Sequence, residues 1–147
     1  MSDDLQDLYQ ELILDHSRHP HNFHALEKAT RHALGHNPLC GDRLEVFLDM
    51  DDQGRIKTAA FQGQGCAISM ASASIMTDLL KGKTEKDAKE LIAAFEELCK
   101  NEGALAPFDG EDQARLLALA GVKNYPARVK CAMLSWRALQ AALADKT

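Results

Sequence analysis

One run of strict alternation constrains this chain more than any other feature. Leu44, Val46, Leu48 and Met50 alternate with Arg43, Glu45 and Asp49, which is the period of a strand with one buried face. Phe47 stands on the polar side, so a helix or loop is expected to cover part of that face. Asp51-Asp52-Gln53-Gly54 is a turn cluster, and residues 55–62 are expected to return as an antiparallel partner. A further extended stretch is expected over residues 30–37. Gly63-Gln64-Gly65 is expected to break the chain after the sheet.

On both sides of this run the period becomes helical. Leu5, Leu8, Tyr9, Leu12 and Ile13 line one face of a first helix, with Ser2 or Asp3 as its cap and Pro20 as its end. Residues 66–80 are small or apolar, and Gly82 is placed to stop that helix. Thr84-Glu85-Lys86-Asp87 resembles a capping box with Asp in place of Glu. The helix it opens carries Leu91, Ile92, Phe95 and Leu98, and should end near Gly103. Ala104 to Gly110 reads as a linker, followed by a short helix through Leu116, Leu117 and Leu119 that stops around Gly121. Pro126 is suited to the first position of a last helix burying Val129, Met133, Trp136, Leu139 and Leu143. Helix, strands and then helices give an α+β fold, a small antiparallel sheet packed against several helices, in one domain over residues 1–147.

Composition removes several functions. The chain has 17 basic and 22 acidic side chains, a net charge of −5, and lacks the basic footprint that nucleic-acid binding needs. No apolar run approaches the roughly 20 residues that span a bilayer, so no membrane role is expected. The acidic, polar start from Met1 to Asp7 is unlike a presequence. Four cysteines in 147 residues are too few for a disulfide framework and read as thiols or metal ligands of a cytoplasmic protein.

The cysteines differ in their surroundings. Cys40 and Asp42 flank Gly41 in Asn37-Pro38-Leu39-Cys40-Gly41-Asp42, a tight turn that lets both side chains point one way. They are either two metal ligands from one loop, a sulfur–oxygen mixture zinc accepts, or a turn cysteine beside a capping aspartate. Cys66 follows Gly63-Gln64-Gly65 at a helix start, where partial positive charge favours a thiolate; it is equally placed as a small residue opening a buried helix. Cys131 lies among Lys123, Arg128, Lys130 and Arg137 in a C-terminal stretch with five basic residues and one acid over 123–147. Those cations either stabilise a thiolate and steer an acidic partner, or form a solvated face. Cys99 continues the apolar stripe of Leu91, Ile92, Phe95 and Leu98 and is structural.

All six histidines precede residue 37. His19, His21 and His24 surround a proline and read as a solvated loop rather than a chelate, and His36 is retained as an outer-sphere group or alternative ligand. No nucleophile elbow is present. The Gly-x-Gly before Cys66 lacks the rest of a nucleotide loop. Three separated cysteines and Asp42 are the one convergent set.

Taken together, these motifs resemble the SufU branch of the IscU/NifU-type iron–sulfur assembly proteins. The resemblance rests on Leu8-Tyr9 through Asp15-His16, on Pro20-His21-Asn22, and on Asn37 to Asp42. It continues through Phe61-Gln62-Gly63-Gln64-Gly65-Cys66 to Met76 and ends in Tyr125-Pro126-Ala127-Arg128-Val129-Lys130-Cys131. IscU-type scaffolds place His immediately before the last cysteine, where this chain has Lys130, and an extra segment over residues 100–119 is typical of SufU.

The resemblance implies a metal site of Cys40, Asp42, Cys66 and Cys131 that suits zinc, with no counterpart for Cys99. It further implies a zinc-dependent sulfur acceptor for a SufS-type, PLP-dependent cysteine desulfurase. In that scheme Cys40 takes the sulfur, freed when a desulfurase histidine replaces it on the metal. Arg128 and Lys130 are the candidates for partner contact, with downstream iron–sulfur assembly proteins as further partners. The alternatives are a scaffold using the same residues to hold iron or a [2Fe–2S] cluster, and a purely structural zinc domain.

Overall fold

A computed structural model describes residues 2–37, 41–100, 116 and 119–144. Helix α1 (Ser2–Arg18) precedes three strands, β1 (Arg31–Asn37), β2 (Asp42–Met50) and β3 (Ile56–Gln64). Then come helices α2 (Ala67–Leu80) and α3 (Glu85–Lys100), a 3-10 turn (Ala120–Asn124) and α4 (Pro126–Ala144). The strands form one antiparallel sheet in the order β1-β2-β3, so the expected α+β architecture is the one observed. Among the described residues no helix is long and apolar enough to cross a membrane.

The alternation in β2 decides which way the sheet faces. Leu44, Val46 and Leu48 are fully buried beneath α2 and α4, which pack on β3 and on β1 and β2 respectively. Asp42 has the same parity and is therefore also carried to the core face, at the end of the sheet. Phe47, on the opposite face, is buried and stacks on His32 of the neighbouring strand, with ring centroids 6.4 Å apart.

The sheet extends further than the glycines suggest. Gly63 and Gln64 do not break the chain but continue the ladder, opposite Leu44 and Arg43. A Cβ on Gly63 would stand 2.1 Å from the Arg43 carbonyl oxygen, and its φ is +136°, so only glycine permits pairing this close. Strand β3 thus runs to the threshold of α2 and delivers Cys66 to the end of β2.

Helix α2 is buried on almost every side, as a helix without a polar face must be. Its serines supply the polar contacts that hold it. Ser72 Oγ donates to the Ala132 carbonyl at 2.6 Å and accepts from Trp136 Nε1 at 3.0 Å, and the Trp136 ring stacks on Phe95 of α3. The Thr84 cap is realised, with Asp87 N–H donating to Thr84 Oγ1 at 3.1 Å. Leu91, Ile92, Phe95, Leu98 and Cys99 are buried together, so Cys99 is a core residue as its periodicity requires. Pro126 begins α4, and of the apolar residues expected there only Val129 is less than buried. Leu116 and Leu119 are helical, and the α-helical conformation gives way at Ala120, beside the expected stop at Gly121, to the 3-10 turn, which closes where Tyr125 N–H donates to the Val122 carbonyl at 2.8 Å. The linker over 104–110 and Leu117 lie outside the described residues.

Candidate metal centre

Three elements converge at the N-terminus of α2. Asp42 comes from the first position of β2, Cys66 is the residue that caps α2, and Cys131 lies in the second turn of α4. The two sulfurs and one carboxylate oxygen all lie within 4.8 Å of one another. Cys40, two residues before Asp42, lies outside the described residues. Of the four residues named from the sequence, the structure therefore brings three together.

Asp42 is held there by the backbone as well as by its strand. Its side chain is 2% exposed. Oδ1 accepts the Cys66 backbone N–H at 3.0 Å, and Oδ2 accepts the Ser69 hydroxyl at 2.5 Å. The carboxylate thus serves an orphan donor at a helix N-terminus, where partial positive charge favours an anion. Gly65 makes room for it, since a Cβ there would stand 3.2 Å from Asp42 Cγ and Oδ1. Cys66 is extended at φ −69°, ψ 169° and makes no side-chain cap of its own, so its sulfur is left to the site. Cys66 is half-buried and Cys131 is buried.

Ser69 is the residue that the sequence reading passes over. It is fully buried, and its hydroxyl lies 3.5 Å from Cys66 Sγ and 3.3 Å from the Cys131 carbonyl oxygen besides bonding Asp42. Its signal in the sequence is its spacing, three residues after Cys66 and hence on the same helical face.

Arg128 and Lys130 are exposed in the first turns of α4. Lys130 borders a cavity of about 400 Å³ between β1 and α4, walled by Leu34, Val129, Met133 and Leu134. Arg137 borders the same cavity and donates to Glu96 Oε1 at 3.1 Å, a contact that holds the Glu96 carboxyl below its ordinary range. His36 is exposed and pairs in register with Arg43, on the face of the sheet away from Asp42, so it is no ligand to this group. Cys99 is set apart chemically as well as spatially. Burial pushes its thiol up from 9.0 to about 11, with Glu96 adding to the effect.

A second group, His16, His21 and Asp78, also brings ligand-type atoms together. The loop histidines do not chelate as a set: His21 joins His16 and Asp78, while His19 lies beside Asp15 and His24 near the Ala25 carbonyl. His21 Nδ1 is bonded to Asp78 Oδ2 at 2.5 Å, Asn22 donates to Asp78 Oδ1 at 3.1 Å, and His16 Nδ1 shares a hydrogen bond with Ser74 Oγ at 2.7 Å. These bonds pin the chain after Pro20 onto α2. The place of His16 was readable, since it follows Leu12 and Ile13 by four and three residues on the buried face of α1.

A family model for the NifU-like N-terminal domain matches residues 8–132. This chain belongs to the NifU-like N-terminal domain family. Among its relatives, the zinc-dependent sulfurtransferase SufU of Bacillus subtilis (strain 168) is 38% identical over 142 residues, covering 97% of this chain and 93% of that protein. The iron–sulfur cluster assembly scaffold protein IscU of Streptococcus pyogenes serotype M1 is 39% identical over 140 residues, covering 95% and 84%. The crystal structure of FiSufU from Fervidobacterium islandicum AW-1 superposes with a TM-score of 0.79 at 34% identity, covering 90% of this chain and 94% of that one. The resemblance read from the motifs and the fold it implied are therefore both borne out, and this NifU-like domain carries Lys130 at the position before its last cysteine.

Proposed function

We propose that this protein is a zinc-dependent sulfur acceptor for a SufS-type cysteine desulfurase in iron–sulfur cluster biogenesis. The observation that carries the reading is the convergence of Asp42, Cys66 and Cys131 on one point at the start of α2, with Cys40 two residues from Asp42 as the fourth donor. A set of thiolates and one carboxylate suits zinc, which when bound holds thiolates deprotonated without redox chemistry of its own.

Each residue has a part in this scheme. Asp42 offers a hard oxygen already oriented by Cys66 N–H and Ser69. Cys66 and Cys131 are anchored on helices, and Cys40, to which the family resemblance gives the role, is assigned the transfer. Its thiolate forms a bond to the outer sulfur of the donor's persulfide, and the donor's S–S bond breaks. The electron pair leaves with the donor's cysteine as a thiolate, and the transferred sulfur remains on Cys40 as a persulfide. No oxidant or reductant is consumed. Arg128 and Lys130, exposed beside Cys131, supply positive charge toward an acidic surface of the partner.

A scaffold for a [2Fe–2S] cluster is the second reading, favoured by the comparable identity to the Streptococcus IscU. Desulfurase turnover, measured with zinc-loaded and chelated protein, separates the two. Zinc-dependent stimulation is expected, with about one zinc per chain. A purified protein carrying iron with a visible chromophore, and indifferent to zinc, would overturn the sulfur-acceptor reading; zinc without stimulation would leave a structural metal.

A further inference from the structure

Three groups surround the Ser69 hydroxyl: the acceptors Asp42 Oδ2 at 2.5 Å and the Cys131 carbonyl at 3.3 Å, and Cys66 Sγ at 3.5 Å, which can accept from the hydroxyl or donate to it. A serine has one proton to donate, and the distances order the three. The carboxylate takes it, because a hydrogen bond to a charged acceptor is the strongest on offer. Ser69 is fully buried and lies on α2, whereas Asp42 lies on β2, 27 residues earlier. The bond therefore joins two of the three elements that supply ligands, and among the described residues its other hydrogen-bond neighbours belong to the other two ligand residues.

We infer that Ser69 is the positioning residue of the metal centre. It fixes the second oxygen of Asp42 so that the carboxylate is aimed before any metal arrives, and it thereby sets how tightly the centre holds its ion. This inference rests on the reading of Asp42, Cys66 and Cys131 as metal ligands, and it predicts a coupling that a merely structural serine would not show. Ser72 is the internal comparison. It too is fully buried on α2, but its hydroxyl serves Ala132 and Trp136 and bonds none of the three ligand residues.

The test is a zinc competition titration against a chelating dye, with cobalt substitution to read the ligand set, on the full chain and its variants. Ser69→Ala should weaken zinc about tenfold to a hundredfold, the usual range for an outer-sphere partner, and shift the cobalt d–d bands. In an Asp42→Ala background the same change should cost nothing further, because the serine acts through the carboxylate. Ser72→Ala should keep wild-type affinity and bands, and Ser69→Thr, which retains the donor, should stay near wild type even if Ser69→Ala folds poorly. Equal losses for Ser69→Ala with and without Asp42, unchanged binding by Ser69→Ala, or a loss in Ser69→Thr would each overturn the inference. A wild-type chain that takes up no zinc, or an Asp42→Ala variant that binds like wild type, would instead overturn the ligand reading beneath it.

Discussion

Asp42 Oδ1 accepts the backbone N–H of Cys66 at 3.0 Å, so a carboxylate on a strand caps a helix whose own N-cap side chain makes no capping hydrogen bond. A residue assigned to metal binding thus also serves as a helix cap. Its buried carboxylate is answered by the helix terminus and by Ser69.

Removing this cap should show in the apo protein. Asp42→Ala leaves the Cys66 N–H and the Ser69 hydroxyl without their acceptor, and should cost about 1–3 kcal/mol of stability in the absence of metal. Asp42→Asn keeps one carbonyl acceptor and should lose less. Urea unfolding of chelator-treated protein checks both, and an unshifted Asp42→Ala midpoint would show that the cap contributes nothing.

Cys40→Ala is expected to abolish stimulation of desulfurase turnover, whereas Cys99→Ala is expected to leave it intact, because Cys99 is buried among Leu91, Ile92 and Phe95. Equal damage from both variants would refute the assignment of the ligands.

Cys99 also makes a prediction about pH. Its folded thiol titrates near 11 because of burial and, secondarily, Glu96, whereas in the unfolded chain it returns to the ordinary value of 9.0. The unfolded state then loses its proton first as pH rises, so stability falls between those two values. Below the lower value the contribution is fully present. Denaturant midpoints of metal-free protein recorded across this window should decline, and the decline should be shallower in Cys99→Ala. Parallel slopes in the two proteins would place the effect elsewhere.

Arg128 and Lys130 are exposed and adjoin the buried Cys131. Reversing both charges to Glu should slow association with the desulfurase by about tenfold at low ionic strength, and the deficit should shrink as salt is added. Zinc content should be unchanged. A deficit that persists at high salt would mean that the side chains act through contact geometry rather than steering.

The sheet was legible from Leu44, Val46 and Leu48, and their parity also carries Asp42 to the core face. Thr84, Pro126 and Cys99 were equally readable, because caps and helical stripes are local. What escaped was tertiary. Gly63 reads as a break until the Arg43 carbonyl is seen to occupy the space of its missing Cβ. His16 and Asp78 lie 62 residues apart in sequence and meet because α1 docks on α2. Ser69 reads as a small residue in a buried helix, and only the arrival of β2 beneath it gives its hydroxyl a carboxylate to hold. Cys66 and Cys131 were legible as candidates, but their meeting depends on how α4 packs on α2.

The buried hydroxyls of α2 have one more consequence. Ser69 ties the helix to β2, Ser72 ties it to α4, and Ser74 ties it to α1 through His16 and to the loop after α1 through the His21 N–H. Lifting α2 would strip all three neighbours of hydrogen-bond partners together, so its amides are expected to open as one cooperative unit. Hydrogen exchange across α2 should then report one shared opening free energy for its amides.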